Sequence, residues 1–192
     1  DLQEIRRRYD LEVAAVDHAV GELLRDLERR GVADETLVIL TADHGEALGE
    51  RGQIGHVNTL YDEVLRVPLV IRSTMNRDHR ALSKSSRRLV THVDLAPTIL
   101  ELADVAPWRD MRGESLLSRQ RSRTLLAETH KPEAPRDLLC LRDGETKLIY
   151  DPAADSFTCY DLVNDPGEEH DVYEEHAGSL DAWKDRLRAQ AA

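Results

Sequence analysis

The sequence predicts an α/β fold followed by a small antiparallel β region and a C-terminal helix. An amphipathic helical stretch leads directly into a short apolar run, which is the order of elements found in α/β proteins. Further along, two apolar runs flank Asp143-Gly144, a dipeptide that favours a tight hairpin turn. The length of 192 residues suits one domain, or one and a fraction, and is enough to bury a core.

The first element is predicted as a helix over residues 4–30. Its apolar residues recur at steps of three and four, whereas Arg and Glu fill the opposite face. The apolar set consists of Val13, Val16, Val20, Leu23 and Leu27. Residues 35–41 then form a short, β-branched and almost continuously apolar run, which is typical of a parallel strand covered on both faces.

Residues 43–60 contain several glycines and polar groups, so we expect a loop with one short helical turn. A second strand is expected at residues 67–71, and a polar, basic and solvated excursion at residues 73–88. A helix should begin near residue 93, with Asp94 as its N-cap and Pro97 in its first turn. Residues 1–120 are therefore predicted to be one α/β region.

Residues 121–192 are predicted to form the antiparallel subdomain. Strands are expected at residues 124–127, 138–141, 147–150 and 157–162, and a helix at residues 180–191. Cys140 and Cys159 are too few for a disulfide scaffold, so we expect two reduced, half-buried thiols in a β region. A single bridge between them stays open at this point.

The composition limits the classes of partner. With 26 Lys+Arg against 37 Asp+Glu, the formal charge is -11, which argues against a nucleic-acid or anionic-membrane surface. No stretch reaches the ~20 consecutive apolar residues that a transmembrane helix needs. A small anionic substrate held locally by a metal ion remains compatible with this charge.

Metal-ligating side chains follow the predicted strand of residues 35–41. Asp43 and His44 come directly after it, where α/β sheets bind their ligands, and Gly45 makes it easy for the backbone to leave the strand. A carboxylate and an imidazole suit Zn, Mn or Fe as well as a harder cation. Three further glycines describe a tight loop that could return His56 toward the strand end. The residues alone leave open a polar strand end capped by Asp43 and an ordinary loop histidine.

A series of short motifs runs in unbroken order from about residue 9 to residue 175. They occupy residues 36–46, 48–50, 55–56, 60–63, 67–71, 93–103, 113–116, 147–149 and 160–169, and include Thr41-Ala42-Asp43-His44-Gly45-Glu46. The series resembles the C-terminal half of the sulfatase catalytic domain, within the alkaline phosphatase superfamily. The resemblance implies an alkaline-phosphatase-like sandwich, with a parallel or mixed sheet covered by helices.

The resemblance also implies a divalent-metal hydrolase that acts on sulfate esters. Asp43 and His44 stand where the family has its second pair of metal ligands, and His56 stands where a catalytic Lys or His contacts the ester oxygens. Ca²⁺ is the ion that the family favours, with Mn²⁺, Zn²⁺ or Mg²⁺ as alternatives. An Asp-His pair also occurs in relatives that cleave phosphonate or phosphate esters or transfer phosphate-containing head groups, so the small substrate is a sulfate or phosphate ester.

The family's nucleophile segment is absent from the sequence. Sulfatases carry a Cys-x-Pro-x-Arg or Ser-x-Pro-x-Arg segment whose first residue becomes formylglycine, together with a first pair of aspartate ligands. Neither cysteine is followed by this pattern, and Ser83-Lys84-Ser85-Ser86-Arg87 has Ser85 in place of Pro. We therefore expect a C-terminal part of a larger enzyme, with formylglycine in the missing N-terminal part. This chain alone should be inactive and could self-associate. A non-catalytic module with a vestigial site is the alternative, and substrate identity and compartment are left open.

Overall fold

The computed structural model describes residues 1–56, 58–73, 88–118, 123–130 and 137–191. The chain divides into two compact units: unit 1 contains Asp1–Val57 and Glu63–His79, and unit 2 contains Asn58–Asp62 and Arg80–Ala192. The predicted α/β class with an antiparallel C-terminal sheet and helix is confirmed. The domain boundary at residue 120 stays a prediction. Most of the excursion expected at residues 73–88, including Ser83-Lys84-Ser85-Ser86-Arg87, lies outside the described residues.

Unit 1 begins with helix α1 (Leu2–Arg29), which confirms the helix predicted from the apolar repeat. The Asp1 carboxylate caps it by accepting the N–H of Gln3 at 3.0 Å. In the part of the chain that the structure describes, no residue of α1 is buried, and Val16 is 57% exposed. The amphipathic pattern thus correctly predicted the helix, but the apolar face of α1 is not buried among the described residues. None of the described helices is long and apolar enough to cross a bilayer.

Two predicted strands of unit 1 are present, and the segment between them is more ordered than expected. After β1 (Val38–Thr41), the expected loop contains a small hairpin of β2 (Ala47–Leu48) and β3 (Ile54–Gly55), then the helical turn α2 (Asp62–Leu65). Strand β4 (Leu69–Arg72) then pairs with β1 in antiparallel register. The parallel pairing expected for β1 is not seen in this pair, because no long crossover helix stands between the two strands.

In unit 2, helix α3 (Leu95–Leu102) begins after Asp94, which confirms the predicted N-cap position. The fully buried carboxylate of Asp94 does not cap this helix; it accepts the N–H groups of Thr91 and Glu114, each at 2.9 Å, and pairs with Arg123. Burial alone raises the pKa of Asp94, but these hydrogen bonds outweigh it and hold the pKa below its usual range.

The antiparallel sheet of unit 2 follows the sequence prediction closely. Its strands are β5 (Leu125–Thr129), β6 (Leu138–Arg142), β7 (Thr146–Asp151) and β8 (Ser156–Asp161), paired in that order. Helices α4 (Tyr173–His176) and α5 (Asp181–Ala191) follow the sheet. The core contains buried side chains from β6, β7, β8 and the C-terminal segment, namely Leu139, Leu141, Leu148, Tyr150, Phe157, Cys159, Leu180 and Leu187.

Both cysteines are free thiols on strands of this sheet. Cys140 lies on β6 and Cys159 on β8, with β7 between them, so the prediction of reduced thiols in a β region is confirmed. They are fully buried rather than half-buried, since each is only 1% exposed. Burial raises the pKa of each thiol to about 11.

A buried ionic cluster holds the segment Asn58–Asp62 against the sheet within unit 2. We call Lys147, Asp62, Glu168 and Arg142 the Lys147 cluster. The fully buried Lys147 ammonium donates to Asp62 Oδ1 at 2.5 Å and lies 2.7 Å from Glu168 Oε1. Arg142 donates to the same Asp62 oxygen at 2.6 Å, and the Asp62 N–H donates to Glu168 Oε2 at 2.6 Å. Two cations and two carboxylates therefore balance one another in a largely buried cluster, in which Lys147 and Glu168 are fully buried.

Candidate metal centre

The candidate site begins where β1 ends at Thr41. The chain turns there because Gly45 approaches α2 closely: its N–H donates to the Val64 carbonyl at 2.7 Å. A Cβ at this position would lie 2.1 Å from the Glu63 carbonyl oxygen, so a larger residue does not fit without a backbone shift. The sequence analysis singled out Gly45 for its backbone freedom; the structure shows that its lack of a side chain is what the turn requires, since its φ is not positive.

The hairpin of β2 and β3 returns the chain toward the end of β1, and with it His56. Its ladder pairs Ala47 with Gly55 and Leu48 with Ile54. Gly49 and Gly55 have φ values of 113° and 93°, in the left-handed region that favours glycine. The same register, continued by one residue, sets Glu46 opposite His56. The tight glycine loop predicted to return His56 is therefore a hairpin.

Three side chains converge at this point: His44, Glu46 and His56. One ligand atom from each lies within 4.8 Å of the others. The two imidazole rings have centroids 4.3 Å apart, and His56 Nδ1 lies 3.3 Å from Glu46 Oε2. This group combines two nitrogen donors with one carboxylate, a set that suits transition-type divalent ions.

The tautomer of His44 follows from its neighbour. Its Nδ1 lies 2.9 Å from the Gly45 carbonyl oxygen, which can only accept a hydrogen bond. The proton is therefore assigned to Nδ1, and the lone pair lies on Nε2. An imidazole whose Nδ1–H is held by a carbonyl is the usual arrangement of a metal-ligating histidine.

Asp43 lies beside this group rather than within it. Its side chain is 89% exposed, and its Oδ2 lies 3.7 Å from His44 Nε2. The backbone N–H of His44 donates to its carboxylate and, with the other local hydrogen bonds and the nearby imidazoles, holds the pKa of Asp43 below its usual range. The structure thus brings the predicted residues Asp43, His44 and His56 to one place and adds Glu46, which the sequence analysis missed. The signal that could have found it was the hairpin register set by the glycines.

Comparison with known proteins agrees with the family resemblance noted in the sequence. The model of the family described as Sulfatase matches residues 1–105. Choline-sulfatase from Rhizobium meliloti is 31% identical over 190 residues, which cover 94% of this chain and 35% of the relative. The chain spans about a third of the length of this relative and of two other curated relatives that it matches.

Two solved structures resemble this chain in fold. One, solved in complex with its substrate D-glucosamine-2-N,6-O-disulfate, has a TM-score of 0.73 and 26% identity, and the match covers 93% of this chain and 37% of that one. The other is a phosphonate monoester hydrolase from Silicibacter pomeroyi, with a TM-score of 0.72, 25% identity, and coverage of 91% and 38%. Both resemble this chain over nearly its whole length.

Proposed function

Because the chain belongs to the sulfatase family, within the alkaline phosphatase superfamily, we propose that it is the C-terminal part of a metal-dependent sulfuric ester hydrolase. The observation that carries the proposal is that Asp43, His44 and His56 lie close together after β1, with Asp43 Oδ2 3.7 Å from His44 Nε2 and the two imidazole rings 4.3 Å apart. The short coverage of the relatives supports a part of a longer enzyme. The sequence contains no Cys-x-Pro-x-Arg segment, which supports a nucleophile supplied from outside these 192 residues.

We assign Asp43 and His44 as ligands of a divalent ion. His44 presents the Nε2 lone pair, and the exposed Asp43 carboxylate adds a negative oxygen beside it. Ca²⁺ prefers oxygen ligands alone, so this donor pair favours Mn²⁺ or Zn²⁺ over the Ca²⁺ that the resemblance suggested. When bound, the ion would polarise the ester and stabilise the charge on its oxygens.

His56 is proposed to contact the ester itself. Its ring packs against that of His44, so it lies next to the proposed ligand while remaining 56% exposed on its side chain. As a donor from Nε2 when protonated, it would stabilise negative charge on the transferred group or on the leaving oxygen. We therefore propose His56 as a catalytic residue.

Calorimetric titration of the 192-residue chain with Mn²⁺ and Zn²⁺ tests the ligand assignment. We expect His44→Ala to weaken binding by at least about tenfold, since even partners that only orient a ligand contribute that much. His18→Ala is the matched control, because His18 is a 73% exposed histidine on α1. Equal affinities for the parent and His44→Ala forms of a full-length protein, which would also supply the first pair of aspartate ligands, would refute the site and favour a vestigial, non-catalytic module.

An experiment that identifies the substrate class requires a longer chain that also supplies the nucleophile. A phosphonate or phosphate ester hydrolase, or a head-group transferase, is the second candidate, supported by His44 beside Asp43 and by the likeness to a phosphonate monoester hydrolase. Rates with 4-nitrophenyl sulfate and with a phenylphosphonate ester, measured on one full-length protein, would separate the two. We expect no turnover by the 192 residues alone. Turnover of an aryl sulfate by this chain, abolished by Asp43→Ala, would contradict that expectation.

A further inference from the structure

We propose that Glu46 is a positioning residue for His56, which it holds in the tautomer with the proton on Nδ1 and the lone pair on Nε2. The inference rests on the proposed contact between His56 and the ester. It concerns how the side chain of His56 is oriented, and gives Glu46 no direct part in the chemistry.

The hairpin explains why these two side chains meet. The β2 and β3 ladder pairs Ala47 with Gly55, and Gly49 donates its N–H to the Gln53 carbonyl at 2.8 Å nearer the tip. The ladder pairs residue 48 with 54 and residue 47 with 55, so the next pair outward is 46 with 56. Directly opposed residues of an antiparallel ladder have Cβ atoms about 5 Å apart, which is within reach of a Glu-His contact.

The space around Gly55 is shaped for the Glu46 carboxylate. With a φ of 93°, Gly55 has a conformation that other residues rarely adopt. A Cβ added there would lie 3.3 Å from Glu46 Oε1 and would press on the carboxylate. The Glu46 side chain is also less exposed than that of His56, at 28% against 56%. The carboxylate is thus the more enclosed member of the pair and can act as the fixed one.

Charge determines the tautomer. A carboxylate accepts hydrogen bonds and donates none, so the contact of 3.3 Å between Glu46 Oε2 and His56 Nδ1 requires the proton on Nδ1. This resembles the arrangement in which a carboxylate orients a catalytic imidazole through its Nδ1–H. With Nδ1–H held by Glu46, the proton gained by His56 on protonation goes to Nε2, which is the atom that then donates to the ester oxygens.

The rival assignment makes Glu46 a third metal ligand, since its oxygen lies within 4.8 Å of ligand atoms of both histidines. Against it, Asp43 already sets a carboxylate oxygen 3.7 Å from His44 Nε2, whereas Glu46 is engaged with His56. The two assignments predict different effects of removing Glu46, so one set of variants separates them.

Nitrogen NMR of ¹⁵N-histidine-labelled, metal-free chain at about pH 8, where histidine is mostly neutral, reports the tautomer of His56 directly. We expect the Nδ1–H form in the parent chain. In Glu46→Ala the ratio of Nδ1–H to Nε2–H forms should fall about tenfold, the size expected for loss of a hydrogen bond to a charged acceptor. Glu50→Ala is the matched control, because the Glu50 carboxylate stabilises the same hairpin by accepting the Leu48 N–H at 2.6 Å. It should leave the ratio unchanged.

Metal titration of the same variants completes the test. Glu46→Ala should bind Mn²⁺ or Zn²⁺ with nearly the affinity of the parent chain. A loss as large as that caused by His44→Ala would make Glu46 a ligand and overturn the proposal. It would also be overturned by an Nε2–H form of His56 in the parent chain, which needs no variant, or by equal tautomer changes in Glu46→Ala and Glu50→Ala. Because the NMR experiment uses neither metal nor substrate, it can fail while the proposed function stands, and the reverse.

Discussion

Replacing Lys147 with methionine probes the buried ionic contacts of the Lys147 cluster. Methionine has a similar length and removes only the ammonium, which lies 2.5 Å from Asp62 Oδ1, 2.7 Å from Glu168 Oε1 and 3.1 Å from the Leu60 carbonyl oxygen. Asp62 keeps Arg142 as a partner after this change. Glu168 loses its cation and retains only the Asp62 N–H among these contacts. One buried carboxylate therefore loses the cation that lies 2.7 Å from it.

The structure sets the expected size of this effect. Removing one partner of a buried ion pair lowers the free energy of unfolding by ~3–5 kcal/mol. Because Arg142 still compensates Asp62, we expect the lower end of that range, about 3 kcal/mol. For a chain of this size, such a loss lowers the melting temperature by roughly 6–12 °C. The burial of Glu168, which by itself raises the pKa of its carboxyl group, makes protonation of this residue the route by which the variant relaxes.

Urea unfolding followed by tryptophan fluorescence measures the change, because Trp183 packs against the core of unit 2. Lys184→Met is the matched control: it removes a lysine whose partner Asp181 is 74% exposed, and should lower the free energy of unfolding by at most about 1 kcal/mol. The double variant Lys147→Met with Glu168→Gln should recover part of the loss, since no unpaired charge remains. An effect of Lys147→Met no larger than that of Lys184→Met would refute this reasoning.

Three further predictions use other buried contacts. Since the pKa of Asp94 is lowered on folding, its contribution to stability is complete above about pH 4 and is lost as the pH falls through its folded pKa. The difference between the urea midpoints of the parent chain and Asp94→Asn should therefore stay constant from about pH 6 to about pH 4 and shrink as the pH falls further. Gly45→Ala should lower the free energy of unfolding by ~1–3 kcal/mol, because its Cβ would meet the Glu63 carbonyl, whereas Gly21→Ala on α1, with only one atom at 3.9 Å, should raise it slightly in the same urea assay. The two buried thiols, with pKa values of about 11, should react with a disulfide reagent at pH 8 only as fast as the chain opens; rapid labelling in folded protein would contradict their burial.

Local patterns predicted most secondary structure because the signals that start and stop these elements are local. The turn at Asp143-Gly144 set the β6 and β7 hairpin, and the apolar repeat predicted α1. Burial and pairing depend on partners distant in sequence, so Val16 on α1 is exposed despite its pattern, and β1 pairs antiparallel with β4. A fully buried Lys147 is likewise beyond sequence reasoning, because its partners lie 85 residues away at Asp62 and on a later loop at Glu168.

The residues of the candidate site also differ in how far local sequence predicts their positions. Asp43 and His44 follow from position, since they come directly after an apolar strand, where α/β folds place their ligands. His56 required the return of a loop, which its glycines indicate. Glu46 required the register of that return: a shift of one residue would turn its side chain to the other face of the hairpin. The residue whose role is hardest to read from the sequence is thus the one whose position depends most on a two-residue ladder. For that reason, variants that shift this ladder should separate His56 from Glu46 before they disturb His44, which is held by β1 and Gly45.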